Sequence, residues 1–302
     1  MNDSSALWTP ETPGGNWHLD EPGDTLENVT KAYSVFLEVC AADQHTAFLN
    51  RLTSAPDAAK AEAAVFSWLR AGKLAPIINE QVGRGGIDYL CSPPNSIPFL
   101  LEVTSLSKAA VVSKSGWPDS LDEVAQAFSV ITPQLAGKGQ SKAPQLATGQ
   151  VGIPRVLAIC LAHPGASALL STLAAEWLMV SDPVIQMPIA AQGKEPGPAR
   201  LATDLKRSVF FGPRDGVIVP MRESISAILL VALWYRQLDI LGMLHPKLTV
   251  PLDYRVFTRI PFLRVEWPLT SPIDMEWVIG DPGPLVAYHV AVALTDNELK
   301  RE

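Results

Sequence analysis

Gly85-Gly86-Ile87-Asp88-Tyr89-Leu90-Cys91 and, shortly after it, Phe99-Leu100-Leu101-Glu102-Val103-Thr104 are the segments on which the fold turns. Each is a short apolar run with aromatic or β-branched residues. Ser92-Pro93-Pro94-Asn95-Ser96 between them is turn chemistry, so together they predict an antiparallel hairpin. With the turn centred on Asn95, symmetric pairing sets Asp88 opposite Glu102. Directly opposed like charges weaken a sheet, and a chain that keeps them there holds a cation between them or shifts a pKa. A one-residue slip in register would separate the pair and leave two unrelated residues on a solvated strand face.

Upstream, residues 57–70 read as an amphipathic helix ending near Gly72. Glu62 is in register there with Val65, Phe66 and Leu69, which puts it on the apolar face. Buried glutamates are rare without a partner, so Glu62 is a candidate for the site and Glu80 a second choice for the same role. Strands are expected near 76–82, 87–91 and 99–105. Downstream, Ser120-Leu121-Asp122-Glu123 has capping-box spacing and opens a helix. Gln134, Lys138 and Lys142 then recur at i, i+4 and i+8, with Gln145 one turn further, forming one polar stripe. Gly137, Gly139 and Pro144 work against that helix. Residues 155–161 read as a buried central strand, 166–180 as a helix, and 225–232 as a second buried strand too short to span a bilayer. The order describes an α/β protein with an αβββαβ core, a mixed central sheet flanked by helices, and extra C-terminal strands.

Gly-Gly-Ile-Asp88-Tyr followed by Leu-Leu-Glu102-Val-Thr resembles the core of the PD-(D/E)XK superfamily, the restriction-endonuclease-like nucleases. That resemblance implies that Asp88 and Glu102 bind metal, with the backbone carbonyl of Val103 as a third ligand. An all-oxygen set of this kind suits Mg²⁺ or Mn²⁺, one or two ions. The family's usual lysine, two residues after the second acid, is Thr104 here. Some members take the lysine from the following helix, where this chain offers Lys138 and Lys142; Lys142 is preferred, because Lys142-x-x-Gln145 resembles the family's helix signature. A glutamate from the first core helix is also common at the edge of such sites, which matches Glu62.

Cys40, Cys91 and Cys160 are scattered in apolar contexts without C-x-x-C spacing, which argues against a disulfide framework and a zinc site. The five histidines form no metalloprotease-type arrangement. Met1-Asn-Asp-Ser-Ser has neither a basic nor an apolar leader region, so the cytoplasm is the default location and no membrane partner is expected. With 47% hydrophobic and 18% charged residues, the chain can bury one large core.

The expected organisation is an acidic flexible tail over 1–24, a helical cap over 25–56, and a nuclease-like domain over 57–302 with a loop-rich insertion at 181–216. Net charge is −7, but six uncompensated acids fall in the first 30 residues, and residues 194–264 carry eleven Lys or Arg against six Asp or Glu. Lys206, Arg207 and Arg214 stand beside Phe210 and Phe211. Arg255, Arg259 and Arg264 are interleaved with Tyr254, Phe257, Phe262 and Trp267. Basic residues with aromatic neighbours suit phosphate contact and base stacking; equally, such arginines can cover sheet edges while the aromatics fill the core. The function expected is a metal-dependent nuclease acting on nucleic acid, DNA by preference. The alternative is a nuclease-fold protein without catalysis that serves as a nucleic-acid-binding or assembly subunit. A homodimer or a partner subunit is compatible with either.

Overall fold

The apolar run 155–161 lies inside the sheet as β6 (Arg155–Leu161), with parallel neighbours on both edges, β5 (Phe99–Leu106) and β11 (Ala227–Trp234). A strand flanked this way is covered on both faces, which is why its residues read as one continuous apolar stretch. Val156 through Leu161 are all fully buried. The computed structural model describes residues 8–12, 16–19, 25–80, 86–115, 128–147, 152–163, 165–181, 183–186, 200–203, 205–234, 237–270, 273–279 and 289–294.

On one side of this centre, β3 (Pro76–Ile78) pairs antiparallel with β4 (Tyr89–Cys91), and β4 with β5. On the other, β12 (Gln237–Leu244) returns antiparallel to β11. Then come β13 (Pro261–Val265), β14 (Ile273–Ile279), β15 (His289–Leu294), β8 (Arg200–Thr203) and β7 (Pro183–Gln186). The protein is therefore mixed α/β, a large mixed sheet flanked by helices, with the expected extra strands after β11.

Helices α1 (Leu26–Cys40), α2 (Ala42–Ser54) and α3 (Pro56–Ala71) belong to one face. The other face carries α5 (Phe128–Ala147) and α7 (Thr172–Val180). The short α4 (Lys108–Ser115) follows β5, and α6 (Ala166–Leu169) precedes α7. Alternation along β5 feeds both cores, Leu101 packing with α3 and Leu100 and Leu106 with the α5 side. Helix α5 runs through Pro133 and Pro144 because its stripe of Leu135, Ala136, Ala143 and Leu146 is buried, and packing rather than propensity carries such a helix. Gly139 is required in it, since a Cβ there would lie 2.6 Å from Val209 Cγ2.

Several boundaries differ from expectation. The presumed tail holds β1 (Trp8–Thr12) and β2 (Asn16–Leu19), paired with each other, and β2 adds to β12 at Gln237–Asp239. Of the acids that suggested a tail only Glu11 lies in these strands, while Trp8, Thr9, Thr12 and Trp17 are good strand formers. The presumed loop-rich insertion at 181–216 contains β7, β8 and β9 (Phe211–Arg214), the last forming a separate hairpin with β10 (Val217–Pro220). The expected helix over 166–180 is interrupted at residues 170–171, and the strand over 76–82 is described only as Pro76–Ile78. The capping box at Ser120 to Glu123 lies outside the described residues. Among the described residues no helix is long and apolar enough to cross a membrane.

Candidate active site

The hairpin register is the one the turn implies: Tyr89 pairs with Leu101, Leu90 with Leu100 and Cys91 with Phe99, so the next step of the ladder sets Asp88 against Glu102. Asp88 itself stands just before β4, where the chain bends. Asn79 fixes that bend, its backbone N–H donating to Asp88 O at 2.8 Å and its side-chain amide to Ile87 O at 2.9 Å. Gly86 has φ +143°, a conformation that favours glycine, and its carbonyl accepts from Gln145 Nε2 at 2.8 Å. The Val103 N–H donates to Asp88 Oδ2 at 2.6 Å across the hairpin. The contact shown for Val103, expected to contribute its carbonyl, is made by its amide.

Glu102 is 2% exposed. Its Oε1 accepts from Lys142 Nζ at 2.6 Å and from Gln145 Nε2 at 3.0 Å, and Lys142 Nζ also donates to Gln145 Oε1 at 2.9 Å. The lysine and the glutamine come from one face of α5, one turn apart, as the polar stripe requires. Lys138, a turn earlier, is half-buried, and burial followed by the charge of Lys142 lowers its pKa. Glu102 Oε2 is buried and accepts no hydrogen bond among the described residues.

From the opposite face, α3 brings Glu62. Its carboxylate accepts from Tyr33 Oη at 3.0 Å and from Arg51 Nη2, whose contacts with its two oxygens are 3.0 and 2.9 Å. Tyr33 and Tyr89 hydroxyls are 3.0 Å apart, and Arg51 Nη1 is 3.6 Å from Glu80. Arg51, Tyr33 and Tyr89 were not singled out in the sequence. They are joined to Glu62 only by tertiary packing, although the residue pair Asp88-Tyr89 could have suggested that Tyr89 faces α3 by strand alternation.

These groups line one cleft of about 170 Å³: Arg51, Glu62, Glu80, Asp88, Glu102 and Lys142, with Gly86, Thr104 and Gln145 among the remaining walls. Four carboxylates face two cations. Burial, then the charges of Glu102 and Glu62, hold the Asp88 carboxyl well above the usual range, and the Val103 amide only partly offsets this. Burial also raises Glu102, against the hydrogen bond and charge of Lys142, and raises Glu62, against Arg51 and Tyr33. The carboxylate surplus and the orphaned Glu102 oxygen fit a hard divalent cation. Among the described residues no cluster of three or more His, Cys, Asp or Glu forms a ready-made cage. Mg²⁺ does not require one, since it is held through one or two carboxylates with water and phosphate oxygens completing the shell.

The two basic patches do not join this cleft. Arg207 and Arg214 are exposed beside Phe210 and Phe211, which are fully buried in the α5-side core. Lys206 lies in a 3₁₀ turn at Leu205–Arg207. Arg255 is exposed and bonded to Asp253 at 2.8 Å. Arg259 is half-buried, and the neighbouring Phe257 and Phe262 are buried in the α3-side core. The four phenylalanines fill cores and are not available for base stacking. The segment carrying Arg255 lies at the turn end of the hairpin, where Ser96 donates to Asp253. Ser96 precedes Glu102 by six positions, a span of at most about 20 Å.

No protein-family model, curated protein or solved structure matches this chain.

Proposed function

We propose that this protein is a metal-dependent nuclease of restriction-endonuclease-like fold that hydrolyses phosphodiester bonds in nucleic acid, DNA by preference. The single observation that carries the reading is the Lys142 ammonium 2.6 Å from the buried Glu102, which the hairpin register sets opposite Asp88. An acid, an acid and a lysine are the groups such chemistry uses, and here the lysine reaches the second acid from α5 although residue 104 is threonine.

Asp88, Glu102 and the Val103 carbonyl would hold Mg²⁺ or Mn²⁺. The ion would supply Lewis acidity at the phosphate and lower the pKa of an attacking water. The chain's own residues do the rest. An ammonium has three donors, and Glu102 and Gln145 engage two of those of Lys142; the third would orient the water or stabilise charge developing on phosphate. Gln145 holds Lys142 and Glu102 in register with the Gly86 carbonyl, so the α5 side of the cleft is fixed before substrate arrives.

The alternative, a nuclease-fold binding or assembly subunit without catalysis, draws on Thr104 and on Gly137, Gly139 and Pro144, which work against a helix around Lys142. A continuous α5 and the Lys142–Glu102 contact support the active reading. The test is cleavage of supercoiled and linear DNA by the purified protein with Mg²⁺, Mn²⁺ or EDTA, beside Asp88→Ala and Lys142→Ala. Metal-dependent cutting lost in both variants is expected. Absence of cutting with any metal, together with no metal binding by calorimetry, would overturn the proposal in favour of the binding subunit.

A further inference from the structure

We propose that the cleft takes a single divalent ion, and that the Arg51 guanidinium stands as a built-in cation where a second ion would otherwise sit, between Glu62 and Glu80. The inference rests on the metal-dependent reading of this cleft and narrows it.

The four carboxylates sort into two pairs with different partners. The step of the hairpin after the Tyr89–Leu101 pair sets Asp88 against Glu102, and of these two carboxylates Lys142 contacts Glu102, at Oε1. Glu102 Oε2, in a side chain 3% exposed, remains without a hydrogen bond among the described residues, which is an unmet demand for positive charge. Glu62 and Glu80 show no such demand. Arg51 reaches both Glu62 oxygens at 3.0 Å or less and Glu80 at 3.6 Å, and Tyr33 adds a hydrogen bond to Glu62.

Burial works against the Arg51 charge, but Glu62, Glu80 and Asp88 outweigh it and raise its pKa, so the guanidinium is charged at every pH of interest. A guanidinium offers a planar fork of N–H donors that matches a carboxylate, so it occupies the oxygen lone pairs an ion would need. Unlike an ion, it cannot be removed by a chelator.

The test counts ions in the full chain. Mn²⁺ is titrated into wild type, Arg51→Met and Arg51→Lys, free ion being read by electron paramagnetic resonance and heat by calorimetry, with Tm recorded for each protein. One Mn²⁺ per wild-type chain is expected, two for Arg51→Met, and one again for Arg51→Lys, which keeps the charge. Two ions in wild type would overturn the inference while leaving a metal-dependent nuclease intact; so would one ion in folded Arg51→Met. No Mn²⁺ bound to wild type would overturn both. The wild-type count stands as a test even if Arg51→Met does not fold.

Discussion

Glu62 and Glu102 face the same cleft, each with a cation at hydrogen-bond distance, yet they are finished differently. Glu62 accepts bonds from Tyr33 and Arg51 and is closed off by a guanidinium spread over both its oxygens. Glu102 gives one oxygen to Lys142 and Gln145 and keeps the other buried, without a hydrogen bond among the described residues. An unsatisfied buried acceptor costs about 1–3 kcal/mol, which a chain selected for stability alone would not retain. Under the proposed function the α3 side of the cleft supports the fold, and the β5–α5 side takes the ligand.

The sharpest way to break that contrast is Glu102→Gln, which keeps the shape of the side chain and removes its charge. Cleavage is expected to fall about 10³-fold, with cation binding lost as well; retention of either would put the reactive half elsewhere. Lys142→Ala comes next. A drop in kcat of about 10²-fold with KM changed little is expected from single-turnover and steady-state rates, because the ammonium acts mainly where charge develops.

The third effect is a pH dependence. Burial and mutual repulsion raise the Asp88 carboxyl, so the folded chain keeps a proton there that the unfolded chain has lost. The stability due to that proton is fully present below the ordinary aspartate value of about 4, and is lost as pH rises through the raised folded value. Above it the repulsion is real and a cation relieves it. The Tm gain on adding Mg²⁺ to EDTA-treated protein should thus be near zero at mildly acid pH and grow toward pH 8; a gain independent of pH would contradict the assignment.

Smallest is Tyr33→Phe on the finished half, which removes one of the hydrogen bonds to Glu62. Arg51 remains, so stability should fall by about 0.5–1.5 kcal/mol in denaturant melts and cleavage by only a few-fold. A loss as large as that of Glu102→Gln would erase the distinction between the two halves.

The same contrast marks what could be read from the chain. The juxtaposition of Asp88, Glu102, Lys142 and Gln145 is legible because its spacings are local: the hairpin register follows from the turn at Asn95, and Lys142 and Gln145 are one helical turn apart. The supporting half was not, since Arg51 and Tyr33 meet Glu62 across 11 and 29 residues, without any periodicity linking them. In the basic patches the sequence left two readings open. Aromatic and basic residues interleaved in sequence suggested a surface, but Phe262 turns into the core while Arg264 bonds Glu276 on the neighbouring strand. The N-terminal strands were hidden by composition, because window-averaged acidity outweighed the tryptophans at 8 and 17.

Asp88→Asn tests the central claim most directly, because it separates the cost of the site to the fold from its use. In EDTA at pH 8 its Tm should exceed that of wild type by about 1–2 °C, the shift expected for roughly 1 kcal/mol of relieved repulsion in a chain of this size. In Mn²⁺ it should leave supercoiled DNA uncut. A stable Asp88→Asn protein that cleaves as fast as wild type would contradict the account.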